Sequence, residues 1–588
     1  MKKQFLLVFT VIMAVMLVFA GCASDPDATP TTPDGTESST GDGELPAELV
    51  NNPAANNGNV FNYAQVSPPG IFNPILYSAT YDGYVVNLVF DRLLEYDPET
   101  MDFVEAMAES YTVDEEAGTV EFVLRQGIQI HEGYGELTAE DVAFTLRMFF
   151  DPSYDGPRQS YYSNIIGAEA FMNGEADTIE GIILHTAAPE DPLPVVYDET
   201  DNDPYKITLC FNNFTTSNLH GIAGYLYILP RAYYEQDDYS GFSALSSKPI
   251  GTGPYCFAEY VADQYIELDK FADYWKTEPK IDKIIYHCVV NDSNIPGLQN
   301  GTFDFAEIRN IDEDLNLVEA DGYDFLNIET TQGGNFAFVK FRMTDEITSD
   351  PLVRQALAYG FNRQLFIDAY FSGRASLTYA PVPKDSAAYP DDSELNLYEY
   401  DPELAGELLD QAGWVMGDDG YRYKDGQRLV INYTGISDNA NDTMKTAMMV
   451  EDYKAIGVEF IPSYYDWASY MDLVKTNENT QMFGYANDMQ PDPYTLAEYY
   501  LTGSLRNDGF YSNPEYDELV AQAKMELDTQ AAGELYQEAF KILNQDLPVL
   551  FLNDYTQIWV SNARVKNLVL GTFINWTYNI EYMEIVQP

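Results

Sequence analysis

Residues able to do covalent or metal chemistry are few and scattered in this chain. The four histidines, His131, His185, His220 and His287, are far apart, and none forms a His-x-x-x-His pair that would set two imidazoles on one helix face for a metal. No Gly-x-Ser-x-Gly elbow, phosphate-binding Gly-x-x-x-x-Gly-Lys or Cys-x-x-Cys occurs. Gly251-Thr252-Gly253-Pro254-Tyr255 is glycine-rich, but Pro254 lacks the amide a phosphate cradle uses, so the run reads as a tight turn into a strand. The 94 acidic residues supply a carboxylate pair for glycoside hydrolysis at almost any spacing, so none is singled out. The 46 tyrosines are more informative. Beyond those that fill strands and core, each offers a rigid ring and a hydroxyl that donates or accepts, chemistry suited to recognising a ligand. No catalytic residue, metal ligand or cofactor is assigned.

The formal balance is −63, from 31 basic and 94 acidic residues. That excludes a nucleic-acid partner, which needs clustered Lys and Arg to displace counterions, and argues against electrostatic docking on anionic lipid. With 46% hydrophobic residues the 588-residue chain is globular and too long for one core, so two or three domains are expected. At its start, Lys2 and Lys3 precede an apolar run from Phe5 to Ala20 and then Gly21-Cys22, followed abruptly by polar residues. This resembles a bacterial lipoprotein signal (1–21) with Cys22 as the lipidated residue; an uncleaved anchor is the alternative. Residues 22–58 are poor in aromatics and rich in Asp, Thr, Pro, Ser and Gly, a disordered tether with an r.m.s. span of roughly 30–36 Å. Cys210, Cys256 and Cys288 sit in strand-like runs and read as small buried thiols, with Cys256 and Cys288 the pair to consider if a disulfide forms.

Behind these residues stand helices that share one start signal, an Asp or Asn cap followed by Pro. Asp350-Pro351, Asp401-Pro402 and Asn513-Pro514 each precede apolar residues at helical spacing, and Thr138-Ala139-Glu140-Asp141 is a capping box. Alternating strands such as Val120 to Leu124, Ile207 to Phe211 and Ile266 to Leu268 lie between them. No period of 20–50 residues repeats. Strands and helices mix without strict alternation, so the fold class is mixed α/β and α+β.

Eleven stretches in register resemble the family 5 extracellular solute-binding proteins, the peptide- and nickel-binding components of ABC importers. They include Val89 to Asp97, Met107 to Tyr111, Val120 to Gly127, His131-Glu132-Gly133 and Leu137 to Val142. Further along come Gly251 to Tyr255, Tyr274-Trp275, Leu298 to Asp304, Val353 to Tyr359, Ala412-Gly413-Trp414 and Tyr511 to Asp517. The chain departs from the family at Lys340-Phe341-Arg342 and at Asn362-Arg363. The resemblance implies a three-lobed periplasmic-binding-protein-like fold of type II, cluster C, closing about a hinge. Lobe I would be 59–83, 229–325 and 555–588, lobe II 84–228, and lobe III 326–554. It also implies no catalysis, a monomer, a peptide ligand, an ABC permease partner, and attachment to the outer face of the membrane through the lipid on Cys22.

By the same resemblance Asp488, four residues after Gly484, is the anchor for a ligand amine, with Asp492 as rival and a loop cap as the structural alternative. Tyr485, Ala486 and Asn487 would add backbone and ring contacts. Gly333, Gly334 and Asn335, ahead of a strand, would face them across the cleft or form a simple turn, and Tyr77 and Ser78 are carried over by position. Extended peptide backbone added to an open sheet edge would serve varied sequences. A nickel chelate or oligosaccharide in the same role, and a secreted hydrolase, remain the other readings. If the acidity extends into the cleft, cationic ligands are favoured and salt weakens binding; if not, the charge serves solubility.

Overall fold

The computed structural model describes residues 45–588 apart from 99, 290–293, 309–310, 372, 438 and 478; Cys22, the signal segment and the tether up to residue 44 lie outside the described residues. Along the chain come β1 (Val60–Gln65), α1 (Thr80–Val89), β2 (Ala108–Asp114), β3 (Thr119–Leu124), α2 (Ala139–Phe149), β4 (Ile179–Leu184), β5 (Val195–Tyr197), β6 (Lys206–Cys210) and α3 (Thr216–Tyr225). Next are β7 (Tyr255–Val261), β8 (Tyr265–Lys270), β9 (Lys283–Cys288), β10 (Phe305–Ile308), β11 (Leu326–Phe341), α4 (Pro351–Tyr359) and α5 (Pro402–Gln411). The last are β12 (Val430–Ile436), β13 (Glu459–Tyr465), α6 (Trp467–Thr476), β14 (Met482–Asp488), α7 (Pro514–Met525) and β15 (Val549–Asn562), with shorter elements between.

The start signals act as read. Asp350, Asp401 and Asn513 accept hydrogen bonds from first-turn amides of α4, α5 and α7, each with proline at the first position, and Thr138 with Asp141 closes the capping box of α2. Mixed α/β architecture follows, as expected. One sheet has the order β2-β3-β6-β4-β5. A larger one runs β13-β12-β14-β11-β15-β10-β1-β9-β8-β7, with Ser376–Leu377 beside β15 as its eleventh strand. β1 pairs in parallel with both β9 and β10, and its residues from Phe61 to Gln65 are all buried, as a parallel strand covered on both faces requires.

β11 and β15 run through both halves of this large sheet. Leu326–Gln332 pair with Thr556–Asn562, and Phe336–Lys340 pair with Val549–Asp554; the ladder shifts register between Gln332 and Phe336 and again between Ala337 and Phe338. The boundary expected between 325 and 326 therefore falls too early, since β11 pairs within the first half of the sheet as far as Gln332. Gly333 stands inside the strand, not ahead of it. A Cβ there would lie 1.8 Å from the carbonyl oxygen of Tyr555, so only glycine permits the approach.

The tether expected to reach residue 58 ends earlier, and residues 46–588 form one compact unit. Ala47–Leu49 and Pro53–Asn56 are 3₁₀ turns with Leu49 and Ala54 buried. Asn52 and Asn562 exchange amide hydrogen bonds of 2.6 and 3.1 Å, and Asn57 donates to the Gly301 carbonyl. Next to them Arg564 grips Asp304 through two bonds, Nε to Oδ1 at 2.6 Å and Nη2 to Oδ2 at 2.8 Å, while donating to the carbonyls of Gly58 and Val60. Composition hides this because the ordering comes from polar pairing with distant residues, not from local apolar content.

The three cysteines are free and half-buried, less covered than expected. Cys256 on β7 lies opposite Asp269 at one end of β8, and Cys288 on β9 lies beyond Tyr265 at the other. A whole strand separates them, roughly 10 Å sideways, beyond the reach of a disulfide.

Candidate functional site

A cleft of about 640 Å³ is lined by residues from α1, from α3, from the facing ends of β11 and β14, and from the C-terminal stretch. Its walls come from Tyr77, Ser78 and α1, from the stretch after α1 at Asp91, Arg92 and Glu95, and from Arg158, Tyr225 and Tyr227 on the side of the smaller sheet. Gly334, Asn335, Asp488, Met489 and Gln490 close it from β11 and β14, and the C-terminal stretch from Leu570 to Glu581 forms the remaining side.

The expected residues separate into two groups. Asp488, Gly334, Asn335, Tyr77 and Ser78 all line this cleft. Asp488 is exposed, ends β14 and pairs with Asn335 of β11, and its carboxylate meets no hydrogen-bond donor or cation among the described residues. The Asn335 side-chain oxygen is buried and equally unpartnered. Gly334 accepts a 2.6 Å bond from the amide of Met489, and the nearest atom a Cβ there would meet is the Thr572 carbonyl oxygen at 3.7 Å.

Gly333, Tyr485, Ala486, Asn487 and Asp492 do not line it. Gly333 packs on Tyr555. The Tyr485 ring turns into the core, 4.6 Å from that of Phe338, and its hydroxyl donates to Asp508, so the expected ring contact is not made. Asp492 is only 5% exposed; it accepts from Ser217 Oγ at 2.7 Å and from the amide of Tyr494, which leaves it tying α3 to the segment after β14. β14 pairs with β12 only at Met482 and Phe483, so from Gly484 onward its outer side carries no strand. Tyr470 caps the Gly484 carbonyl on that side, and by strand alternation the amide and carbonyl groups of Ala486 and Asp488 point the same way.

Sequence reading missed the wall after α1. Asp91 is buried and accepts three bonds of 3.0 Å, from Thr252 Oγ1, Tyr274 Oη and Trp275 Nε1. Burial pushes its carboxyl up to about 6, against the pull of the Lys276 ammonium and these donors. Lys276 binds both oxygens of Glu95 and lies 3.9 Å from Glu581. Burial also raises Glu581, whose Oε1 has no hydrogen-bond partner among the described residues. The signal was present, since Val89 to Asp97, Gly251 to Tyr255 and Tyr274-Trp275 were all picked out, but only folding shows that they converge on one carboxylate. His131 belongs to the same assembly. Its Nε2 bonds the Gly253 carbonyl at 2.9 Å, and burial lowers its titration to about 4.

Arg158 was also missed. It stacks on Tyr77 with Cζ 3.8 Å from the ring centroid. The cleft carries five carboxylates, Asp91, Glu95, Glu307, Asp488 and Glu581, against three cations, Arg92, Arg158 and Lys276. It is thus far less acidic than the chain, where the ratio is 94 to 31.

The chain is 25% identical over 533 residues to heme-binding protein A of Haemophilus influenzae, covering 88% of this chain and 91% of that protein. It is 23% identical over 559 residues to the oligopeptide-binding protein AppA of Bacillus subtilis, covering 94% and 93%. The solved structure of HbpA2 from Haemophilus parasuis superposes with a TM-score of 0.72 at 20% identity, over 90% of this chain and all of that one. Residues 102–508 match the family described as bacterial extracellular solute-binding proteins, family 5. With more than half its length inside that match and a periplasmic-binding-protein fold around the cleft, the chain belongs to the family 5 extracellular solute-binding proteins, which bind and carry but do not catalyse.

Proposed function

We propose that this protein captures peptides outside the cell and hands them to the membrane subunits of an ABC importer, acting as a monomer tethered by a lipid on Cys22. The observation that carries this reading is the end of β14. Among the described residues the carboxylate of Asp488 is unpaired; it stands in the cleft at the tip of a strand whose outer backbone groups from Ala486 onward meet no partner there. An extended peptide laid along that edge would take main-chain hydrogen bonds independent of its side chains, with its terminal ammonium on Asp488. The cleft volume lies within the range of small-ligand sites, so a short segment would be enclosed while a longer one would extend beyond it. Asp488 is preferred to Asp492 because the latter is buried and already bonded to Ser217. Closure would bring the side of α3 and Arg158 toward β14, and Tyr225 Oη already donates to Gln490 at 3.0 Å.

Native mass spectrometry of the protein purified from its own cells tests this. A mixture of bound peptides is expected. A single chelate, heme or sugar would overturn the peptide assignment, and a lipid-modified Cys22 in the same spectrum would establish the anchor.

A further inference from the structure

The half of β11 from Leu326 to Gln332 has a strand on one side only among the described residues. β15 pairs with it there, while β14, on the other side, joins β11 only from Asn335 onward. Register tells which backbone groups face the open side. The amide of Ala563 donates to the Phe325 carbonyl at 2.7 Å, one residue before Leu326 meets Asn562, and the amide of Asn562 turns away to the Asp304 carbonyl. Facing pairs in an antiparallel ladder alternate, so Asn327, Glu329 and Thr331 turn their amides and carbonyls to β15, and Leu326, Ile328 and Thr330 turn theirs outward. The Tyr323 carbonyl takes the Leu326 amide at 2.8 Å. The Leu326 carbonyl and both backbone groups of Ile328 and of Thr330 meet no partner among the described residues. This edge has no lysine or proline to blunt it, Glu329 is its one charge, and its first register shift comes only after Gln332.

Beside the edge runs a groove of about 490 Å³. Val318, Leu326 and Ile328 give it apolar lining, and Glu319, Asp324 and Glu329 line it with carboxylates that are exposed and unpaired among the described residues. No lysine or arginine lines it, and none of its residues lines the solute cleft. Charge selects the occupant. Residues 22–44 contain no lysine or arginine, so the chain's own N-terminal segment offers nothing to these carboxylates, and a second copy would bring a net charge of −63 of its own. Alternation selects its pattern. Leu326 and Ile328 pack toward the core on one face of the sheet and Glu329 stands on the other, so successive residues of an added strand meet apolar and acidic surroundings in turn. We propose that the edge from Leu326 to Gln332 is a docking strand for an extended segment of a partner protein in which lysine or arginine alternates with apolar residues. The backbone of that segment bonds Ile328 and Thr330, and its cations meet Glu319, Asp324 and Glu329.

Hydrogen exchange of the full chain, read on the fragment that covers 326–332, tests this. The probe is an acetylated and amidated peptide of about ten residues alternating valine and lysine. At up to about 1 mM it should slow exchange of the Ile328 and Thr330 amides at least about tenfold, and a valine and glutamate counterpart should leave them unchanged. Thr330→Pro removes one outward amide without breaking the ladder to β15, and Glu319→Gln combined with Asp324→Asn and Glu329→Gln removes the charge; each should weaken the probe by about tenfold at low salt. No protection of 326–332 in the wild type overturns the proposal. So does equal protection by a lysine peptide of the same charge interrupted by prolines, and neither comparison depends on a variant folding. Slow exchange before any probe is added also overturns it, since the edge is then already covered, by a second copy if protection grows with protein concentration and by residues 22–44 if it does not.

Discussion

Asn335 stands opposite Asp488 in the ladder between β11 and β14, and the side-chain oxygen of the one and the carboxylate of the other both lack a donor among the described residues. Two acceptors without donors on neighbouring strands at a cleft wall form a complement to an ammonium, which has three N–H groups and no acceptor. Asp488→Ala is expected to weaken binding of a free-amine peptide by about thirtyfold or more, and Asn335→Ala by about tenfold. Acetylating the peptide amine should mimic Asp488→Ala. Calorimetry decides, and an acetylated peptide that binds as tightly as the free one would remove Asp488 from the role.

Adjacent glycines should respond in opposite ways. A Cβ at Gly333 meets backbone of β15 at 1.8 Å, whereas one at Gly334 meets nothing closer than 3.7 Å. Gly333→Ala should therefore lower stability by at least about 1–3 kcal/mol, as overpacking does, while Gly334→Ala stays within about 0.5 kcal/mol. Urea unfolding of the two variants measures this, and equal midpoints would contradict it.

Arg564 and Asp304 are both fully buried, and Asp304 also accepts the backbone and side-chain N–H groups of Asn62 at 2.9 and 3.0 Å. Removing one partner strands the other charge, so Asp304→Ala should cost about 3–5 kcal/mol. It should also release residues 46–58, because Arg564 holds the Gly58 carbonyl only while its own position is fixed. Limited proteolysis near residue 50 would rise in step with the loss of stability.

Two buried groups should tilt stability with pH in opposite directions. Burial holds His131 down to about 4, so its contribution is complete above the unfolded value of about 6.5 and is lost as pH falls through 4, up to about 3 kcal/mol. Burial lifts Asp91 to about 6, so its contribution is complete below about 3.9 and is lost as pH rises through 6, by a similar amount. His131→Gln should flatten the acid limb of a stability profile, and Asp91→Asn the limb between about 4 and 7. A profile unchanged by either substitution would contradict the assignment.

The near-balance of charge in the cleft predicts a weak salt response. Affinities for Lys-rich and Glu-rich peptides should each change by less than about threefold when added salt shortens the Debye length from about 10 to 3 Å. A much larger loss for the Lys-rich peptide alone would mean that the outer acidity reaches the ligand.

Local signals carried the helices well. Asp350, Asp401, Asn513 and Thr138 each bond amides within a few residues of themselves, so composition and spacing suffice to read them. Asp488, Asn335 and Tyr77 were reachable by position along recognisable stretches. Arg158, Asp91 and Glu581 were not, because what distinguishes them is the company they keep: Arg158 lies against Tyr77, Asp91 under Thr252 and Tyr274, Glu581 beside Lys276. Tyr485 misled for the same reason, since alternation along β14 and the pull of Asp508 turn its ring inward.

The first register shift between β11 and β15 falls between Gln332 and Phe336, beside Gly333 and Tyr555. Two antiparallel strands resist stretching and in-plane sliding, because every ladder hydrogen bond opposes both, yet they bend easily out of plane where the ladder is interrupted. A bend of the pair at that interruption would fold the two halves of the large sheet about a line. Gly334 and Asn335 follow Gly333 directly, and Asp488 pairs with Asn335, so a bend at that line would move these residues least. A solute gripped there is held at the pivot, and the rest of the wall arrives around it along a single path.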